Sequence, residues 1–266
     1  MKIAISNLAW ENGLEPEVFA AMKARGISAI EIAPTKIWAD WQNINETSIN
    51  FFRERVAGFK VVSFQSLLFG RPELSIFGSD EIRQQTLAHL KMVADLAAVI
   101  GAGPLVFGSP KNRDPGERPE TEAIEEAAEF FRLIGDYCHK IGVTLCLEAN
   151  PTQYGSRFIT NAAQAAMLVR KVGSEGFRLH LDTACMWLAG DDAGAMIRQH
   201  RDILTHFHAS EPNLGSFAAP ESPHAEAALA LKEIRYQGHV SIEMLNKQNQ
   251  LAPITEALDY VSRIYR

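Results

Sequence analysis

Residues 143–150 read VTLCLEAN, an apolar, strand-like run that closes on a carboxylate, Glu148, and an amide, Asn150. Seven other stretches share its character: IAISNLAW (3–10), ISAIEIAP (27–34), VVSFQSLL (61–68), PLVFGSP (104–110), FRLHLDTA (177–184), LTHFHASE (204–211) and HVSIEML (239–245). Between them the apolar spacing changes to the helical period. Leu90, Val93, Ala97 and Ile100 step by three and four, as do Ile124, Ala127, Phe131, Ile134, Cys138 and Ile141. Gly26, Gly58, Gly101, Gly142, Gly176 and Gly238 precede the next run in each case. A residue free to take positive φ there ends a helix and turns the chain into the sheet.

Strand and helix in alternation imply parallel strands joined by right-handed crossovers. Eight such units in 266 residues predict an α/β fold, a (β/α)8 TIM barrel, with residues 1–266 as a single domain. An open doubly wound sheet is the competing architecture. No run is followed by GxGxxG or a P-loop, and no linker or low-complexity segment divides the chain. Long loops follow the third run (68–79), the fourth (109–119) and the seventh (211–223), whereas the joints before the runs are short. In a barrel the loops after the strands build the active site.

Composition narrows the function classes. The net charge is −6 and no long Lys/Arg run occurs, which argues against a nucleic-acid partner. Cys138, Cys146 and Cys185 are odd in number and lack zinc-ribbon spacing, so a reducing cytoplasm is expected rather than a disulfide framework. The opening MKIAISNLAW reads poorly as a signal peptide, and no apolar segment reaches the ~20 residues that span a bilayer, so no membrane partner is expected.

The late runs place polar residues at corresponding positions: Glu148, Asp182, His208 and Glu243. Side chains alternate along a strand, so Cys146 shares a face with Glu148, His180 with Asp182, His206 with His208, and Ser241 with Glu243. If these faces point inward, three carboxylates meet at the barrel mouth, where they repel one another unless a cation neutralises them. With one imidazole added they make a metal site. Three oxygen ligands and one nitrogen suit Mn²⁺, Mg²⁺ or Co²⁺ at least as well as Zn²⁺, one ion per chain. His180 and His206, one layer deeper, are expected as supports, and His89, His139 and His200 as surface residues. Glu31, Gln65, Lys111 and Glu211 are further candidates for binding substrate at the top face, and Arg113 is expected to face solvent.

With CLEAN, HLDTA, HFHASE and SIEML the chain resembles the xylose isomerase-like TIM-barrel superfamily, in particular its sugar-phosphate isomerase/epimerase group. The likeness covers nearly the whole chain. It implies that Glu148, Asp182, His208 and Glu243 bind one divalent metal, and that Glu148 and Glu243 are also catalytic, passing a proton to and from a carbohydrate through an enediolate-type step. It further implies a homodimer or homotetramer, for which Trp38 and Trp41 are candidate interface or substrate-wall residues. Ketose epimerases of the group carry a histidine, a glutamate and an arginine where this chain has Cys185, Tyr154 and Leu214, so the substrate clamp differs. A dehydratase or other lyase using the same groups is the chemical alternative, and a non-catalytic sugar-binding barrel the other. The superfamily's DNA-repair endonucleases need more histidine ligands than this chain supplies.

Overall fold

Each apolar run supplies one strand, because a parallel strand buried on both faces has to be apolar nearly throughout. In the computed structural model, which describes residues 1–266 apart from the side chain of Gln42, the strands are β1 (Lys2–Ser6), β2 (Ala29–Ile32), β3 (Lys60–Phe64), β4 (Pro104–Phe107), β5 (Thr144–Glu148), β6 (Phe177–Asp182), β7 (Leu204–Ser210) and β8 (His239–Glu243). All neighbours pair in parallel, and β1 pairs with β8 to close the barrel. The helices are α1 (Glu15–Ala24), α2 (Glu46–Arg55), α3 (Asp80–Ile100), α4 (Glu120–Lys140), α5 (Ala162–Val172), α6 (Thr183–Ala189), α7 (Ala193–Gln199), α8 (His224–Glu233) and α9 (Leu251–Tyr265). Among the described residues no helix is long and apolar enough to cross a membrane.

The strands stop earlier than the apolar runs suggest. Asn7–Ala9 leave the sheet as a 3₁₀ turn, capped by Ser6 Oγ accepting from Leu8 N. An apolar stretch at a strand end also packs under the loop that follows it, so hydrophobicity overruns the ladder.

Register decides which side chains meet inside. Glu148 lies opposite His180, Asp182 opposite His208, and Ser210 opposite Glu243, so all six share the inner face. The pairing of β6 with β7 skips from Leu179↔Leu204 to His180↔His206, leaving Thr205 as an extra residue. Such a bulge re-aims a strand, and here it sets His206 and His208 to the interior.

Outside the barrel, rings fill the gap between β4, β6 and α4. Phe131 stacks on Phe177 with centroids 4.6 Å apart and meets the edge of Phe107 at 5.2 Å. Gly26, Gly58, Gly101 and Gly142 take positive φ as anticipated. Gly176 and Gly238 do not, and their role is closeness: a Cβ on Gly176 would lie 2.0 Å from Gly135 O and 2.5 Å from His139 N of α4. Trp38 and Trp41 are buried, Trp38 against Phe52 and Trp41 against His89, so they do not form an exposed interface. His89 and His200 are buried too, contrary to expectation, while His139 is exposed.

Since the Gly176 contact is with backbone, relief requires α4 to move off the barrel. Gly176→Ala is expected to cost about 3 kcal/mol, against about 1 kcal/mol for Gly142→Ala, whose Cβ enters open space at an unfavourable φ. Denaturant unfolding of the two variants side by side checks this; equal losses would show that the close approach is unimportant.

Candidate metal centre and its surroundings

The interior layer beneath the mouth is polar. Glu31, fully buried on β2, accepts hydrogen bonds from Ser63 Oγ (2.5 Å) and Gln65 Nε2 (2.8 Å) and is bonded to His206 Nε2 (2.6 Å). Its Oε1 lies 2.8 Å from His208 Nε2. Burial alone would raise the Glu31 pKa, but His208 and His206 outweigh it and hold the carboxyl well below the usual range. An ionised Glu31 beside His208 Nε2 attracts a proton to that nitrogen, although the geometry is not that of an aligned hydrogen bond, and Nδ1 is the nitrogen that faces the mouth.

At the mouth, His208 Nδ1 is ringed by carboxylates. It lies 3.4 Å from Glu243 Oε2, 3.9 Å from Glu148 Oε1 and 3.9 Å from Asp182 Oδ2, and it makes no hydrogen bond. His180 Nε2 stands 3.4 Å from Glu148 Oε1, and neither of its ring nitrogens has a hydrogen-bond partner. Donor atoms of Glu148, His180, Asp182 and His208 all lie within 4.8 Å of one another. Buried imidazole nitrogens without partners, facing oxygens that carry like charge, are what a divalent cation satisfies. The cluster could therefore hold one, with Glu243 closing it from β8.

Electrostatics carries the same signature. Burial, joined by the Glu148 and Glu243 carboxylates, pushes Asp182 up to about 7, and burial raises Glu243 as well. Burial opposes charge on His208, yet Glu31 and Glu243 prevail and raise it well above the ordinary value. His180 is driven well below its ordinary value by burial and by His208, so it stays neutral. Protons thus do part of the neutralising that a metal would take over. Asp182 is also the N-cap of α6: Oδ1 accepts from Cys185 N (2.7 Å) and Oδ2 from Ser210 Oγ (2.5 Å).

A cavity of about 350 Å³ opens over the carboxylates. Cys185, Tyr154 and Leu214, the three positions where the clamp departs from the ketose epimerases, all line it. Tyr154 Oη accepts from Asn213 N (2.8 Å), and burial pushes its pKa up to about 12. Burial, then Asp182 and Glu148, raise the Cys185 thiol well above its ordinary value. Asn213 and Leu214 both hold positive φ, a costly conformation for two consecutive non-glycine residues beside a site.

The structure brings Glu148, Asp182, His208 and Glu243 together, and it moves the other candidates. Glu31 and Gln65 do not line the cavity. They lie beneath it, where Gln65 Nε2 donates to Ser6 Oγ (2.6 Å) as well as to Glu31. Glu211 is buried, bonded to His224 Nε2 (2.6 Å) and accepting from Glu221 N (2.8 Å), so it ties its own loop to α8. Lys111 is exposed in the loop after β4 and lines a separate depression with Phe69. Lys111 and Glu211 follow strands, and a place after a strand does not reveal the direction the loop takes. Arg113, contrary to its expected place in solvent, is fully buried and reaches Asn150 Oδ1 at 2.9 Å.

Fold and site together define a closed (β/α)8 barrel with a carboxylate and imidazole cluster at its mouth. The xylose isomerase-like TIM barrel family matches residues 19–264, and the chain belongs to that family. It is 32% identical over 129 residues to the D-psicose 3-epimerase of Agrobacterium fabrum (strain C58 / ATCC 33970), an alignment covering 46% of this chain and 44% of that one. The match thus spans less than half of the curated relative's length. A D-psicose 3-epimerase crystallised in the presence of D-fructose shares the fold with a TM-score of 0.81 and 19% identity, over 100% of this chain and 99% of the other. An L-ribulose 3-epimerase does so with a TM-score of 0.83 and 19% identity, over 100% and 95%.

The pKa directions have a consequence for ion binding. Because Asp182 is raised, the metal-free fold binds its proton more tightly than the unfolded chain does. That contribution to stability is present below about pH 4 and is lost as the pH rises through about 7. A metal displaces that proton and the one His208 carries on Nδ1, so apparent Mn²⁺ affinity is expected to rise at least about tenfold between pH 6 and pH 8, and thermal stabilisation by Mn²⁺ to grow with it. Calorimetric titration across that range checks this; a flat profile would mean that no proton is displaced.

Proposed function

We propose that the protein is a divalent-metal-dependent carbohydrate epimerase or isomerase that works as one domain, with Glu148 and Glu243 as the groups that carry the proton. The observation behind this reading is the convergence of three carboxylates on His208 Nδ1 beneath a cavity large enough for a monosaccharide. The identities of its relatives, D-psicose and L-ribulose 3-epimerases, support the same reaction class.

Glu148, Asp182, His208 and Glu243 would hold the ion, and His180 lies close enough to add a second nitrogen. A bound divalent ion supplies Lewis-acid stabilisation of charge developing on the substrate's carbonyl oxygen. Glu148 and Glu243 reach the cavity from β5 and β8; one takes the proton from the carbon next to the carbonyl, and the other returns a proton to the opposite face of that carbon, or to the adjacent carbon as the hydroxyl proton passes to the former carbonyl oxygen. Asp182 is held by Ser210 and the α6 terminus, and His208 by Glu31, so these two supply fixed geometry rather than proton transfer. Among the described residues no lysine or arginine lines the cavity, which supports an uncharged carbohydrate over a sugar phosphate. Tyr154, Cys185 and Leu214 offer a less polar rim than a charged clamp would, which supports a substrate other than a plain ketose. The three cysteines are free and buried, in keeping with a reducing compartment such as the cytoplasm.

The test is incubation of the Mn²⁺-loaded protein with ketoses and related hydroxy-carbonyl sugars in deuterated water. Deuterium is expected to enter next to the carbonyl, and Glu148→Gln and Glu243→Gln to slow its entry about 100- to 10,000-fold. Exchange that survives both substitutions would refute the assigned roles. Release of water from the substrate would instead identify a dehydratase.

A further inference from the structure

Arg113 is among the largest of the fully buried side chains, yet among the described residues it forms no salt bridge. It ends the short 3₁₀ turn Pro110–Arg113 after β4. Its Nη2 donates to Asn150 Oδ1 (2.9 Å) and, at longer range, to Ile159 O (3.4 Å), while Nε and Nη1 have no hydrogen-bond partner. A guanidinium so poorly satisfied is costly to bury, and a compensating negative charge has to lie near.

That charge is one amide away. Asn150 Nδ2 donates to Glu148 Oε2 at 2.9 Å, so the two ends of a single amide join the cation to the carboxylate. The chain of bonds has a direction. A guanidinium only donates, so Asn150 must turn Oδ1 toward it and Nδ2 toward Glu148. Without Arg113 the amide could flip and set an oxygen against Oε2. With Oε2 engaged, Oε1 is the oxygen that faces His208 Nδ1 and His180 Nε2. The neighbouring backbone leaves room for this arrangement: at Gly108, just past β4, a Cβ would stand 2.5 Å from Glu148 Oε2 and 3.2 Å from Asn150 Oδ1.

We propose that Arg113 is a positioning residue which, through Asn150, locks the Glu148 carboxylate with Oε2 as acceptor and Oε1 directed at the metal and substrate. This rests on the proposed role of Glu148 as ligand and proton carrier. Arg113 itself touches neither substrate nor metal.

Two variants separate this role from simple support of the fold. Asn150→Asp keeps an acceptor for Arg113 and gives it an ion pair, but it replaces the donor to Glu148 with a like charge. Arg113→Met keeps bulk and frees the amide to flip. The Co²⁺-loaded protein serves as probe: its visible absorption reports the ligand geometry whether or not any sugar is turned over. Both variants are expected to change that spectrum and to lower Co²⁺ affinity about 10- to 100-fold, with a comparable fall in kcat for deuterium exchange and little change in KM. Retention of the wild-type spectrum and affinity by folded Asn150→Asp would overturn the proposal, even if Arg113→Met is destabilised. Wild-type protein that binds Co²⁺ but exchanges no proton would sink the epimerase reading alone, because the spectra still decide the relay.

Discussion

The Glu31 carboxylate lies inside the barrel, bonded to Ser63, Gln65 and His206 and 2.8 Å from His208 Nε2. Barrel interiors are ordinarily filled by layers of branched apolar side chains. Here that layer is replaced by a hydrogen-bonded polar one, and the mouth is built on it. A buried carboxylate with several donors is an ionised one, and it dictates which nitrogen of His208 points upward. Were Glu31 apolar, His206 Nε2 would lose its partner, Gln65 would keep only Ser6, and the imidazole at the mouth would lose the charge that orients it.

Above that layer the problem is reversed. Glu148, Asp182 and Glu243 are drawn together by the register of β5 to β8, and the Cys185 N–H that Asp182 accepts relieves only part of their repulsion. The chain meets it with a raised Asp182, a charged His208 and, one amide further off, a buried guanidinium. These devices hold a charged site in a low-dielectric setting at the expense of stability, as functional sites commonly do.

Close backbone approaches complete the arrangement. Gly176 lets α4 lie against the start of β6, and Gly108 leaves the volume that Glu148 and Asn150 occupy. Strained φ at Asn213 and Leu214, with Asn213 held to Tyr154, shapes the rim where a substrate would enter. That rim presents phenol, thiol and alkyl groups, from Tyr154, Cys185 and Leu214, rather than a clamp of charged groups.

Alternating strand and helix periods, the barrel order, the long loops after the third, fourth and seventh strands, and the recurrence of polar residues at strand ends were all legible in the sequence, because each is a short-range pattern written within one element. His206 was legible as a support, but its partners in the polar layer were not, since Glu31, Ser63 and Gln65 lie on β2, β3 and the turn after β3, far in sequence from it, and meet it only once the barrel closes. Nor were the burial of Arg113, His89 and His200 or the inward turn of Glu211, which depend on how loops and helices fold back over the barrel. Sequence by itself determined the architecture and the residue types at the mouth. Tertiary structure alone decided which carboxylates stay exposed to a ligand and which are spent on holding the others, because that depends on strand register and on contacts between residues far apart in the chain.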